Sequence, residues 1–404
     1  MAKNRNERQF DQYREWQWCK HTALRDYIVP WSMIVGSTAK EIYVADMFAG
    51  AGTYKDEFTG KTVDGSPVIF ARRAREYTFD RPGKRMHVIC AERNRKNFAA
   101  LQHRLAGFND CVKLLRGDFA RHQDAVLTQM GNHPALLLLD PIGLKTIPAE
   151  VCAPLLHRIG KTDAFIVLHF KVVHRTGGML LDTGYANPEV PGAEKAAENL
   201  DAVFGGPRWR FIAVDPTLDV ARRERKYVDL YFEDVLGDRY GYKCAFPVRR
   251  RYKAAVQYWL VQASNHEKPF ELMNDEIVKL NDLLLFGDFN PDGSIPGLAE
   301  WEVEQHRARE LTALEESVLA AVSAAPGQVI VFGALRTILL DEFFGRVKWG
   351  AYSKAVKNLV KVDRLLREDR KAAALRDDER LRLPSAGESA RTETGENVVP
   401  IRAA

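Results

Sequence analysis

Asp46-Met47-Phe48-Ala49-Gly50-Ala51-Gly52 follows directly on Ile42-Tyr43-Val44-Ala45, and this junction decides how the chain folds. Four apolar residues of high strand propensity run into a carboxylate and then into a Gly-x-Gly loop. In a sheet of nucleotide-binding type the ligand lies across the carboxyl ends of the strands, and the loop there must let backbone come close to it. Gly50 and Gly52 meet that need because they carry no side chain. Asp46 then sits at a strand tip, next to whatever the loop cradles.

Working outward from the junction, the same alternation repeats. Ser66–Tyr77 has helical character, 86–92 (MHVICAE) reads as a strand, 95–107 as a helix, and 112–118 (VKLLRGD) as a strand. A helix near 119–130 leads to a strand at 135–141 (ALLLLDP), and a helix at 148–159 to a strand at 163–170 (DAFIVLHF). Continuous Val, Ile and Leu strands separated by helix-length segments predict a parallel sheet covered on both faces, a doubly wound, Rossmann-like α/β fold. The pattern breaks at about 171–238, read as an insertion, and resumes with two strand-like runs at 242–250 and 254–264. Their separation is so short that they must form an antiparallel hairpin. A parallel run closed by such a hairpin is the layout of class I S-adenosylmethionine (SAM) methyltransferases, whereas nicotinamide-binding domains end on another parallel strand.

That layout gives the other strand tips a meaning. Glu92, ending its strand, can accept both hydroxyls of a ribose, and Asp118 can accept from an adenine amino group. Phe119 offers an apolar edge to the same ring or a place in the core. The expected cofactor set is therefore Asp46, Phe48, Ala49, Gly50, Gly52, Glu92, Asp118 and Phe119, around SAM. Asp140-Pro141-Ile142-Gly143 closes the fourth strand, where the acceptor is met. Methyl transfer from a sulfonium needs chiefly alignment of an acceptor lone pair, so Asp140 and the carbonyl held by Pro141 are the expected catalytic groups. Enzymes that methylate base amino groups carry DPPY or NPPY here, with the aromatic stacked on the base. This chain has Ile142 and Gly143 instead, so Phe48, Phe170 or Tyr185 would have to hold a ring. His169, at the end of the fifth strand, is either a base at the same cleft or a satisfied strand-end histidine.

The chain has 404 residues, 46% hydrophobic and 28% charged, enough for more than one folded unit. Its formal charge is only +5, but 207–253 alone holds twelve Lys/Arg against seven Asp/Glu, and Arg249-Arg250-Arg251 with Lys253 is its densest part. A helix over the first 40 residues presents Trp16, Trp18, Leu24, Tyr27, Ile28 and Trp31 on an apolar face, with Lys20 and Arg25 among them. Near the other end, 311–324, 331–344 and 352–366 read as three amphipathic helices, which suits a winged-helix-like module. Lys354, Lys357 and Lys361 then line one face of the third helix. The expected division is a helical segment over 1–40, a methyltransferase-like domain over 41–285, the helical domain over 300–367 and a disordered tail over 368–404. The five cysteines are scattered with no CxxC pair and no histidine at zinc spacing, so no metal is expected. No apolar run approaches a membrane span, and the polar start is unlike a signal peptide, so the expected compartment is the cytoplasm.

Taken as a set, Lys20, Leu24, Tyr27 and Trp31, then DMFAGAG, Gly65-Ser66-Pro67, Glu92, Gly117-Asp118, LLLLDPIG, and Phe204-Gly205-Gly206 with Trp209 resemble the three-Cys-motif partner family. This bacterial group has a methyltransferase-like fold, and its genes lie beside one for a three-cysteine-motif protein. The resemblance spans about 16–270. It implies SAM held by Asp46, Phe48, Gly50, Gly52, Glu92 and Asp118, and a protein partner that carries the three cysteines. The family usually has an aromatic where Ile142 stands. Methyl transfer to DNA or RNA, engaged through Arg249, Arg250, Arg251 and Lys253 and through Lys354, Lys357 and Lys361, is the expected function. The alternatives are a catalytically silent nucleic-acid-binding scaffold, as in defence against phage, and a small-molecule methyltransferase with the insertion as lid.

Overall fold

A computed structural model of the chain describes residues 12–13, 15–56, 60–183, 192–249, 256–286, 300–368 and 375–385. The chain divides into two compact units, Met1–Glu276 with Phe289–Pro296, and Ile277–Asp288 with Gly297–Ala404.

In the first unit, α1 (Glu15–Val35) precedes a sheet of seven strands: β1 (Glu41–Asp46), β2 (Arg85–Glu92), β3 (Val112–Arg116), β4 (Ala135–Leu139), β5 (Thr162–Leu168), β6 (Tyr242–Arg249) and β7 (Val256–Ser264). β4 and β5 are buried along their whole length, as strands covered on both faces must be. The order is β3-β2-β1-β4-β5-β7-β6. β7 runs antiparallel to both neighbours, Leu260 lying opposite Val167 on β5 and Phe246 on β6, while β1 to β5 are parallel. The chain thus has the Rossmann-like sheet of class I methyltransferases. It is the second strand of the terminal hairpin, not the first, that joins the parallel set.

α2 (Ser66–Asp80), α3 (Arg95–Leu105), α4 (Phe119–Met130) and α5 (Ala149–Leu156) make the crossovers. The insertion is helical: α6 (Lys171–Thr183), α7 (Ala193–Phe204), α8 (Arg208–Val214) and α9 (Val220–Tyr231), closed by a π-turn at Phe232–Leu236. Gly177-Gly178 lies inside α6 and does not break it. Phe204, Trp209, Tyr227 and Tyr231 are buried in one cluster with Leu137, Leu139, Ile166 and Leu168 of the strands, so these helices complete the main core. Two short strands, Thr53–Asp56 and Thr62–Asp64, pair just after the glycine loop, and Gln12–Tyr13 pairs with the first of them; none shows hydrophobic alternation in sequence. α10 (Glu267–Phe286) follows β7, and the division between the units falls within it.

The second unit contains α11 (Glu300–Ala324), β8 (Val329–Val331), α12 (Phe332–Phe343), α13 (Trp349–Lys361), β9 (Leu366–Arg367) and β10 (Arg380–Arg382). β10 lies between β8 and β9 in a three-stranded antiparallel sheet. The first helix of this unit begins at Glu300 and not at 311, and two further expectations differ from the structure. The third helix stops at Lys361 and does not continue to 366, because Asp363 turns the chain at φ 53°. The expected disordered tail from 368 is ordered over 375–385: Leu381 and Glu379 are buried there, and the two carboxylate oxygens of Glu379 accept from Arg367 at 2.6 Å each. Residues 386–404 lie outside the described set.

Among the described residues no helix is long and apolar enough to cross a membrane. Cys90, Cys111, Cys152 and Cys244 are buried free thiols, and the side chain of Cys19 lies outside the described set.

Candidate cofactor and acceptor site

The glycine loop is held from three sides. Gly50 and Gly52 adopt φ 65° and 78°, a region that L side chains avoid, and a Cβ on Gly52 would stand 2.9 Å from Leu101 of α3. Glu92 at the tip of β2 accepts the backbone N–H of Gly50 at 2.8 Å through one oxygen and that of Asn94 at 2.5 Å through the other. Burial raises its pKa, and the two backbone donors oppose that rise. Each oxygen keeps a lone pair for a further donor.

Asp46 lies beneath the loop with no exposed surface. Ser66, which opens α2, donates its hydroxyl to one oxygen at 2.7 Å, and the Phe48 N–H approaches the other at 3.3 Å. The carboxylate thus ties the strand tip to the start of the next helix. Burial pushes its pKa up to about 7; the Ser66 hydrogen bond opposes this and the nearby Asp140 carboxylate adds to it. Ala49 is buried and its N–H donates to Ala91 O at 3.0 Å, which joins the loop to β2.

Asp118 caps α4 by accepting from the Ala120 N–H at 3.2 Å and lies 3.7 Å from the Arg93 guanidinium, with its side chain 41% exposed. Phe119 belongs to the core at 2% exposure, with its ring 5.4 Å from that of Phe48. Phe48 is only partly buried and is the aromatic at this edge. Of the other rings considered for the acceptor, Phe170 is buried edge-on against Tyr227 at 5.4 Å, and Tyr185 lies outside the described residues.

At the tip of β4, Pro141 is buried, Ile142 is 65% exposed, and Asp140 forms an ion pair with Lys20 of α1. The sequence puts Lys20 on the leading helix without naming this partner. The signal was there: Lys20, Leu24, Tyr27 and Trp31 stand at i, i+4, i+7 and i+11, and all four are buried. A lysine in a buried row needs a carboxylate. The row ends in a second polar anchor, where the Trp31 indole donates to Asp163 of β5 at 2.6 Å and Ser264 of β7 donates to the same carboxylate. Burial pushes the Asp163 pKa up to about 6.

His169, just past β5, stacks edgewise on Tyr258 at 5.5 Å, with Nδ1 3.4 Å from Gln257 O. Burial lowers its pKa, while the Asp140 carboxylate raises it. Lys20, Asp46, Asp140 and His169 therefore share one neighbourhood at the adjoining tips of β1, β4 and β5.

The basic stretch has a different fate. Arg208 pairs with Glu233 and Asp234, Arg210 with Asp201 and Glu194, and Arg225 with Asp229. Arg223 and Arg239 donate to backbone carbonyls. Arg249 is exposed at the end of β6, and Arg250, Arg251 and Lys253 lie outside the described residues. Arg208, Arg210, Arg223, Arg225 and Arg239 of this stretch thus have partners within the fold.

No protein-family model matches the sequence, and no curated protein matches it. Solved structures with a similar arrangement include a Legionella pneumophila protein of the family model DUF519 (10% identity, 70% of this chain and 97% of that one, TM-score 0.40). Others are a putative O-methyltransferase from Klebsiella pneumoniae (10%, 66% and 92%, 0.31) and the Streptomyces achromogenes O-methyltransferase TomG in complex with SAM (14%, 63% and 91%, 0.29). At these identities and scores the likenesses speak to no ligand, substrate or partner of this chain. Its place in the fold rests on its own strand order.

Proposed function

We propose that the chain is a SAM-dependent methyltransferase of the three-Cys-motif partner family, acting on a nucleic acid together with a protein encoded nearby. One observation carries the reading: Asp46, Gly50, Gly52, Glu92, Asp118 and Asp140 stand at successive tips of one sheet, around a loop whose glycines leave room for a ligand against the backbone. The residues present fit SAM. Glu92 retains acceptor capacity for the ribose hydroxyls, Asp118 is partly exposed at the adenine position, and Phe48 offers the apolar edge. Asp46 serves by fixing the loop, with Phe48, Ala49, Gly50 and Gly52 forming its wall. SAM supplies an electrophilic methyl group; the chain supplies alignment.

At the acceptor end Lys20 holds Asp140 at the strand tip, where its carboxylate and the Pro141 carbonyl aim an amine lone pair. The test is transfer of label from methyl-labelled SAM into DNA or RNA, lost on Asp140→Ala. Absence of transfer into any nucleic-acid pool, with or without the partner protein, would overturn the reading. A second reading is favoured by one observation: Ile142, where a base-stacking aromatic belongs, projects 65% exposed, as a protein that binds SAM and nucleic acid without chemistry would tolerate. Tight SAM binding with product turnover would exclude it.

A further inference from the structure

The second unit carries a row of exposed cations that make no ion pair among the described residues. Its elements follow in the order helix, strand, helix, helix, strand, strand, with the last strand central in the small sheet. α12 and α13 are joined by the turn at 344–348. On α13, Trp349, Tyr352, Ala355, Val356 and Leu359 form the buried face. Lys354, Lys357 and Lys361 form the exposed one, with Lys348 before the helix and Arg364 after it exposed as well. No acidic residue occurs from Lys348 to Val362. Several arginines elsewhere in the unit have carboxylates: Arg336 pairs with Asp377, Arg346 with Glu310, Arg367 with Glu379 and Arg380 with Glu368. Lys348, Lys354, Lys357, Lys361 and Arg364 make no ion pair among the described residues.

A row of uncompensated cations on a rigid helix is complementary to a row of phosphates, and binding there releases counterions. The shape selects among polyanions. A helix about 10–12 Å across enters the major groove of B-form DNA, about 12 Å wide, whereas the major groove of duplex RNA is too deep and narrow for side chains to read. We infer that the second unit is a winged-helix module that lays α13 in the major groove of duplex DNA, with Lys354, Lys357 and Lys361 on the phosphates. The inference deepens the nucleic-acid reading above, and rests on it for the claim that the bound duplex is the methyl acceptor. The uncharged polar side chains of the exposed and flanking positions of α13 are already engaged: Asn358 donates to Glu315 at 2.7 Å and Ser353 to Gly350 O at 3.0 Å. Few groups remain to read base edges, so binding is salt-sensitive and has little sequence preference.

The experiment uses the full chain and fluorescence anisotropy, with a labelled DNA duplex of about two helical turns, an RNA duplex of the same sequence and poly-glutamate as competitor, across a salt series. The variants are Lys354→Glu/Lys357→Glu/Lys361→Glu and the milder triple Lys→Gln. Expected are tighter binding to duplex DNA than to the RNA, a loss on the order of tenfold or more in the Glu triple, and a log–log salt slope smaller by about three in either triple. Thermal melting checks folding, and if the Glu triple does not fold the Gln triple decides. Undiminished DNA binding by a folded triple, equal or better binding of duplex RNA, displacement by poly-glutamate as effective as by DNA, or no DNA binding by the wild type would each overturn the inference. Calorimetry with SAM on the same proteins keeps the two readings apart: SAM binding is expected unchanged in the variants, and its absence from the wild type would sink the methyltransferase reading while leaving DNA binding as measured.

Discussion

At the tip of β4 a carboxylate is neutralised by a lysine 120 residues earlier in the chain, and the pair is largely enclosed. Removing one member strands the other. Lys20→Met is expected to cost about 3–5 kcal/mol in urea unfolding, because an uncompensated buried charge remains. The double variant Lys20→Met/Asp140→Asn should recover most of that loss. A double variant no more stable than the single one would show that the pair is not what holds α1 at this strand tip. Asp163 and Asp46 make the stability depend on pH. Their pKa values are raised to about 6 and about 7 in the folded chain. A carboxyl whose folded value exceeds its unfolded one contributes stability that is fully present below the unfolded value, about 4, and is lost as pH rises through the folded value. The melting temperature should therefore fall from about pH 4 to about pH 7 on account of these two groups. Asp163→Asn, which keeps the shape without the charge, should flatten the lower part of that fall; a profile as steep as wild type would exonerate Asp163. Neither raised value was legible in sequence, since it arises from residues distant along the chain closing over a strand position.

Among elements, β10 separates what periodicity reports from what pairing adds. Three residues in a charged, aromatic-poor stretch carry no pattern, yet Leu381 is fully buried and Glu379 takes a bidentate bond from Arg367. Ending the chain after Glu368 removes both and leaves Arg367, 9% exposed, without its carboxylate. Calorimetry should then show the unfolding transition of the second unit lost or strongly lowered, with that of the first unit intact. A truncated chain that melts like the full one would show β10 to be dispensable. The strands and crossover helices of the parallel sheet, by contrast, were legible to within a few residues, whereas α11 begins eleven residues before the expected 311 and α10 was not read as a helix. β4 and β5 are unbroken apolar runs, and α4 begins at the Asp118 cap and ends at Gly131, whose φ is 47°.

For the whole molecule, two compact units predict two unfolding transitions. If the strand-tip set holds SAM, saturating ligand raises only the transition of the sheet-containing unit, by about 2.7 kcal/mol at roughly 100 times Kd. A shift of both transitions, or of neither, would count against the cofactor being bound by β1, β2 and β3 tips alone. The sequence by itself determined the order of strands and crossover helices in the parallel sheet, the glycine loop and the carboxylates at successive tips, because burial on both faces and turn chemistry are written locally, residue by residue. Tertiary structure decided which strand of the hairpin enters the sheet, that Lys20 belongs to Asp140, that the arginines of 207–249 are largely engaged within the fold, and that the lysines of α13 make no ion pair among the described residues. These are matters of which group meets which. A local pattern states that a charge or an edge needs a partner, and only the closed chain supplies one.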